Sequence, residues 1–109
     1  MTHVVCKLEV YVPKDYVKKL MEALGEIGVG KVGDYDHCFS LTEVVGYWRP
    51  LPGASPFEGK VGDLLSEPEI KLEARCDFGL VGLAVKTIRK VHPYEEPVIN
   101  IIPLLHLVD

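Results

Sequence analysis

The stretch Cys6-Lys7-Leu8-Glu9-Val10-Tyr11-Val12 alternates apolar and polar side chains without a break. Successive side chains of a β-strand point to opposite faces, so every second residue lies on one apolar face. That face holds Cys6, Leu8, Val10 and Val12. The alternation therefore predicts a strand with one buried face and one open face.

An amphipathic helix is predicted directly after this strand. Pro13-Lys14-Asp15 interrupts the alternation, and apolar residues then recur at steps of three and four. Gly28 and Gly30 end the repeat, as glycine commonly does past a helix C-terminus. The apolar positions are Val17, Leu20, Met21, Leu24 and Ile27.

The middle of the chain predicts two more strands separated by a loop. Residues 31–42 indicate a strand with an uneven apolar pattern, interrupted by a polar cluster. Residues 46–59 are rich in proline, glycine and aromatic residues, which is typical of a shaped loop. Residues 70–76 alternate again, with charged side chains on the open face.

The last third of the chain completes the fold prediction. Residues 81–91 repeat as an amphipathic helix, which must end by His92 because Pro93 follows, and 98–102 form a last strand. This order is that of the α+β, ferredoxin-like βαββαβ sandwich, with two helices on one face of a four-stranded antiparallel sheet. The other face, which carries Tyr11, should be covered by a symmetric oligomer or a partner.

Length and composition limit the class of protein. The chain has 109 residues and a formal net charge of −4, which fits a single domain over 1–109 and offers no basic patch for nucleic acid. No apolar run is long enough to span a membrane, and the first residues lack a signal core, so a cytoplasmic protein is expected. The cysteines, Cys6, Cys38 and Cys76, are expected to be free thiols.

The segment His92-Pro93-Tyr94-Glu95-Glu96-Pro97 is the strongest candidate for a functional site. Its prolines favour an extended backbone that holds an imidazole, a phenol and two carboxylates in few orientations. Glu95 and Glu96 should diverge and serve different neighbours, and Tyr94 should pack its ring while its hydroxyl meets a carboxylate or backbone group. His92 is interpreted either as a helix C-terminal stabiliser in its charged form or as a ligand.

Two other groups of residues carry possible chemistry. His37 and Cys38 offer donors to a transition metal, but neighbours on a strand point apart, so an exposed histidine and a buried cysteine are the alternative. Arg49 lies between aromatic residues and a proline, where it could clamp an anion or form an ordinary surface salt bridge. No hydrolase, metalloprotease or dinucleotide motif is present.

Three blocks of the sequence resemble a known family. They are 28–38, 49–56, and 92–97 followed by Pro103-Leu104. Together they look like the PII-like domain of the Nif-three-like (YqfO-type) dinuclear metal centre family, which also occurs as a stand-alone protein. Val44-Val45 and Asn100 depart from the family pattern, and Asn100 weakens any acid or metal role at that position.

The resemblance implies a subunit similar to the PII signalling proteins and the CutA divalent-cation-tolerance proteins, which assemble as homotrimers with clefts between subunits. It also implies that the large domain of the Nif-three-like proteins, with its two-metal site, has no counterpart in these residues. The hydrolase-like role of that family is therefore not expected here.

The leading hypothesis is a non-catalytic, PII/CutA-like oligomer that senses or sequesters a small ligand or a divalent or transition metal ion at clefts between subunits. The predicted ligand-binding residues are Asp34, Tyr35, Arg49, His92, Tyr94, Glu95 and Glu96. The predicted metal ligands are His37, Cys38, His92, Glu95 and Glu96.

Two alternatives remain open at the level of sequence. A protein-binding adaptor would use the open sheet face and the aromatic loop with Tyr47, Trp48 and Phe57. A small enzyme would use His92 or Glu95 as a general base and Arg49 to hold an anion, although no activated nucleophile is apparent.

Overall fold

The computed structural model describes residues 4–105, which form a four-stranded sheet and two helices. Two short 3₁₀ turns, Lys14–Tyr16 and Phe78–Leu80, precede the helices. The main elements are β1 (Val5–Pro13), α1 (Val17–Glu26), β2 (Ser40–Trp48), β3 (Leu65–Asp77), α2 (Val81–Val91) and β4 (Ile99–Leu104). No helix within 4–105 has the length and apolar character needed to cross a membrane.

The sheet is antiparallel throughout, with strand order β2-β3-β1-β4. β1 lies between β3 and β4, and its residue Leu8 is opposite Ala74 on one side and Ile101 on the other. This is the predicted ferredoxin-like arrangement, which the structure confirms.

The core lies between the sheet and the helices, as the alternation of β1 predicts. Cys6, Leu8, Val10 and Val12 are almost completely buried. The helices contribute Val17, Leu20, Leu24, Ala84 and Ile88 to the same cluster. Burying so many aliphatic side chains, each stabilising by roughly 1.5–3 kcal/mol, supplies the main driving force for the fold.

The three cysteines are free thiols in different environments. Cys6 and Cys76 are opposite each other on β1 and β3 and are buried, as predicted. Burial raises the pKa of Cys76 to about 11, so its thiol stays protonated at neutral pH. Cys38, by contrast, is exposed, and its interpretation as a buried cysteine is wrong.

The predicted bounds of the second strand are wrong. Residues 31–39 form turns with one isolated bridge between Val32 and Tyr35, and the strand starts at Ser40. It continues to Trp48, so the first residues of the predicted loop belong to β2. β-Branched and aromatic residues favour a strand there, while Gly28, Gly30 and Gly33 have positive φ and divert the chain beforehand.

The open sheet face carries a neutral network of ion pairs. Lys7 contacts Glu9 at 3.2 Å and also Glu73, and Lys71 contacts Glu73 at 3.3 Å and Glu9 at 3.9 Å. The ion pairs raise the pKa of Lys7 and lower that of Glu73. Asn100 donates to Glu9 at 3.4 Å. The open face is therefore polar and charge-balanced at its centre.

Candidate functional site

His92 ends α2 and is buried beneath the predicted functional segment. Only 6% of the residue is exposed, because its ring lies beneath this segment and against β1. Nε2 donates to the backbone oxygen of Tyr11 at 2.6 Å, and Nδ1 accepts from the backbone N–H of Tyr94 at 3.1 Å. Both ring nitrogens are therefore occupied.

The protonation state of His92 follows from this environment. Burial lowers the pKa of the imidazole, outweighing the opposing effects of the Tyr11 carbonyl and the Glu69 charge. The predicted charged helix-stabilising imidazolium is wrong for this reason. Within one chain the neutral ring also has no lone pair left for a metal or for general-base catalysis.

Tyr94 connects this segment to the aromatic loop. Its ring centroid lies 4.8 Å from that of His92, 5.7 Å from that of Trp48 and 6.2 Å from that of Phe57. Its hydroxyl donates to the carboxylate of Glu69. Burial, this hydrogen bond and the nearby negative charges raise the pKa of Tyr94 far above its ordinary value.

A glycine in β2 leaves the space in which the side chain of Glu69 reaches Tyr94. It is a buried residue on the open face of β3, with 7% exposure. Gly46 lies on the same face of the neighbouring strand, and a Cβ at this position would overlap the Glu69 carboxylate. The glycine therefore makes the space that Glu69 occupies.

Glu95 and Glu96 serve different neighbours, in line with the geometry of an extended segment. Oε1 of Glu95 accepts from the backbone N–H of Ser55 at 3.0 Å, which fixes the loop over the sheet. Glu96 is exposed and has no hydrogen bond or ion pair within the described residues. Both carboxylates line the same cavity.

These residues surround a cavity of about 530 Å³ on the open face, at the end of the sheet. Five aromatic side chains line it, namely Tyr11, Tyr47, Trp48, Phe57 and Tyr94. Four carboxylates also line it, from Glu58, Glu69, Glu95 and Glu96. Arg49 is the one cationic side chain in the lining, and it forms no ion pair within 4–105. The arrangement combines a large apolar surface with negative charge.

The 34–38 segment lies elsewhere in the chain. The backbone of Gly30 forms hydrogen bonds with the backbones of Cys38 and Arg75, which places the segment beside β3. Arg75 is opposite Lys7, near the start of β1. His92 instead bonds Tyr11, four residues farther along that strand. Within one chain, Asp34 and Tyr35 therefore do not join the cavity, and Tyr35 is 75% exposed.

The predicted metal ligands are not brought together within one chain. Nδ1 of His37 lies 3.0 Å from Asp36, and the His37 ring packs on Gly25 at the end of α1. Among residues 4–105, no three His, Cys, Asp or Glu side chains are grouped so that they could hold a metal ion. A metal site built from His37, Cys38, His92, Glu95 and Glu96 of a single chain is thus not formed.

Sequence reasoning identified part of the cavity and missed the rest. Tyr94, Glu95, Glu96 and Arg49 were predicted as binding residues, while Tyr47, Trp48 and Phe57 were assigned to protein recognition. Glu69 and Gly46 were missed because their roles depend on the pairing register of β2 and β3. A buried glutamate on a half-exposed strand leaves no local signal in the sequence.

Comparison with known proteins gives relatives over most of the chain. No protein-family model matches. A GTP cyclohydrolase 1 type 2 homolog of Bacillus subtilis is 41% identical over 98 residues, which are 90% of this chain and 26% of the relative. The chain therefore spans about a quarter of the length of the curated relatives that it matches.

Solved structures give the same result. A Bacillus cereus protein related to NIF3 has a TM-score of 0.84 at 29% identity, over 95% of this chain and 26% of its own. The periplasmic divalent cation tolerance protein CutA of Archaeoglobus fulgidus has a TM-score of 0.72 at 11% identity, covering 95% of this chain and 87% of its own. The PII-like protein CutA of Nostoc has a TM-score of 0.66 at 19% identity, covering 89% and 78%.

The CutA likenesses, at such low identity, establish the fold alone, whereas the sequence match establishes common descent over one segment. The chain is thus homologous to the segment that makes up about a quarter of the GTP cyclohydrolase 1 type 2 homologs of the NIF3 family, and its fold is that of the CutA and PII-like proteins.

Proposed function

We propose that this protein is a non-catalytic, cytoplasmic homotrimer of the PII/CutA type that binds a small ligand in the cavity and acts as a sensor or regulator. The observation that carries the proposal is the cavity itself, where aromatic rings and carboxylates from four separate parts of the chain converge on about 530 Å³. Cavities of this size and apolar character are the usual places where proteins bind small molecules.

The chemistry of the lining favours binding over catalysis. Both nitrogens of His92 are engaged in hydrogen bonds, and Glu95 is held by Ser55. Within the part of the chain that the structure describes, no serine, cysteine or lysine lines the cavity. The two predicted general bases, His92 and Glu95, are thus both engaged, and no serine, cysteine or lysine of the described lining lies beside the free carboxylate of Glu96 to be activated by it.

The position of the cavity supports a role for self-association. By the register, Gly46, Trp48 and Glu69 lie on the same sheet face as the ion pairs of Lys7 and Lys71. A second copy that covers this face comes to lie beside the cavity. The proposed trimer therefore turns a surface cavity into a cleft between subunits, which Arg49 or the 34–38 segment of a neighbour can help to close.

The proposal is tested by identifying what the purified protein carries. Small molecules released on denaturation are compared by mass spectrometry for the wild-type protein and the double variant Phe57→Ala, Glu96→Ala. Both side chains are exposed at the cavity, so the fold should persist. Glu22→Gln, exposed on α1, is the matched control.

We expect one released compound from the wild type and the control, and at least tenfold less from the cavity variant. Equal amounts from all three proteins, or none from any of them after gentle purification, would contradict the proposal.

A protein-binding adaptor is the second candidate function. It is favoured by apolar side chains on β2, where Leu41 is 47% and Val45 is 61% exposed, although the register places them on the helix side of the sheet and not on the open face that the sequence predicted for an adaptor. Neither residue lines the cavity. The variant Leu41→Ser, Val45→Ser should thus leave ligand content unchanged under the leading proposal. Loss of a defined protein partner together with unchanged ligand content would favour the adaptor.

A further inference from the structure

We propose that the cavity selects an organic cation, of which a quaternary ammonium compound is the simplest example. The inference rests on the proposed function, because it names the class of ligand for the same cavity. It follows from the aromatic lining, the balance of charge and the dispersal of the donors, which form no compact metal site among residues 4–105.

The aromatic lining provides surfaces that attract a cation. The ring of Tyr94 lies 5.7 Å from that of Trp48 and 6.2 Å from that of Phe57, in tilted pairs, and all three rings line the cavity. The face of an aromatic ring carries partial negative charge and attracts an ammonium group within about 6 Å of its centroid. The methyl groups of such a cation also bury apolar area against the rings.

The charge of the lining points to the same class. Four glutamates and one arginine surround the cavity. Glu58 and Glu96 have no hydrogen bond or ion pair within 4–105, so their charges are not neutralised there. Burial is the main cause of the raised pKa of Tyr94, and the negative charges of Glu69, Glu58 and Glu67 raise this pKa further.

The same charges disfavour anions. A ligand rich in phosphate would place its charges near four carboxylates with only Arg49 to compensate. Like charges repel, and the repulsion is stronger where a cavity partly excludes water. A nucleoside triphosphate is therefore a poor fit for this cavity in one chain.

A bare metal ion is also disfavoured as the occupant. Among the described residues, no three donors converge as a metal site requires. Glu95 already accepts from Ser55, and Glu69 accepts from Tyr94. Dispersed carboxylates around rings suit a large, weakly hydrated cation better than a small, strongly hydrated one.

The chain provides its own probe for a test. Trp48 is the single tryptophan in the sequence and lines the cavity, so its fluorescence reports occupancy. The full chain is titrated with choline, with its uncharged isostere 3,3-dimethylbutan-1-ol (dimethylbutanol below), and with benzoate as an anionic probe. Choline and dimethylbutanol share their shape and differ in charge.

We expect a saturable fluorescence change with choline, and affinity about tenfold higher than for dimethylbutanol, in line with a partly desolvated cation–π contact. Glu58→Gln combined with Glu96→Gln should reduce that preference at least threefold. Glu22→Gln, which leaves the cavity intact, should retain it.

Equal or tighter binding of dimethylbutanol or benzoate would overturn the inference and leave the cavity as a ligand site. The absence of a response to all three probes at millimolar concentration would also overturn it. The proposed function then stands only if a compound is still released from the wild-type protein and lost in the Phe57→Ala, Glu96→Ala variant.

Discussion

At the scale of single residues, His92 shows how burial decides a role that sequence alone leaves open. The segment that starts at His92 lines the candidate site, but His92 itself is buried beneath the segment and does not line the cavity. Its two hydrogen bonds, to Tyr11 and from Tyr94, join α2 to β1 and fix the start of the segment. The carboxylates and the phenol beyond it are left to face the cavity.

The buried, neutral state of His92 makes stability depend on pH. The folded-state pKa lies below the ordinary value of 6.5, so the unfolded chain binds a proton at a pH where the native chain does not. Stability is therefore fully present above pH 6.5 and is lost as the pH falls from there through the folded-state pKa.

We expect the urea midpoint of the wild type to fall between pH 7 and pH 5 more steeply than that of His92→Gln. Glutamine retains a donor for Tyr11 and removes the titrating group. Parallel pH profiles for the two proteins would show that His92 does not cause the loss.

Gly46 allows a second prediction at this scale. A side chain at this position displaces the Glu69 carboxylate, so Gly46→Ala should weaken choline binding severalfold, as measured by Trp48 fluorescence. The fold should persist, because alanine is tolerated in a strand and Glu69 can turn away. Unchanged binding in this variant would mean that Glu69 does not help to attract the cation.

At the scale of elements, alternation and helical repeats identified every strand and helix, but not every boundary. β1 and both helices were predictable because each has one continuous buried face. β2 was misplaced because most of its residues are exposed, so burial imposes no alternation on the sequence. A half-exposed edge strand is defined mainly by its neighbour β3, and no local pattern reveals that pairing.

The two helical glycines provide a matched pair for testing the packing. Gly82 on α2 has open space where a Cβ would lie, whereas a Cβ at Gly25 on α1 would overlap the His37 ring. Gly82→Ala should stabilise the protein by about 0.5–1 kcal/mol, since alanine reduces the entropy lost on helix formation.

Gly25→Ala should give no such gain, because the His37 ring must move. Chemical denaturation of the two variants measures the difference. Equal stabilisation by both would show that the His37 ring does not pack on α1.

At the scale of the whole molecule, the fold could be predicted, but the cavity only in part. The fold follows from the order of strands and helices, which a sequence displays. The cavity requires that the loop after β2, the segment after α2 and the open faces of β1 and β3 meet in space. That meeting depends on register and on the contact between Ser55 and Glu95, residues that are 40 positions apart.

The proposed assembly predicts different effects from two similar surface changes. Ile102 on β4 lies on the open face opposite Lys7, and Leu83 lies on α2; their exposures are 39% and 49%. If copies cover the open face, Ile102→Glu should yield monomers with an unchanged circular dichroism spectrum, whereas Leu83→Glu should assemble as the wild type does.

Sedimentation of both variants tests this prediction. If Ile102→Glu assembles as the wild type does, the open face is not part of the interface.

The central claim is that this chain assembles around a ligand-binding cavity, and native mass spectrometry of the gently purified wild-type protein tests it most directly. One spectrum reports both the number of subunits and any bound mass. The account predicts a trimer with additional mass that corresponds to a small organic compound. A bare monomer would contradict it.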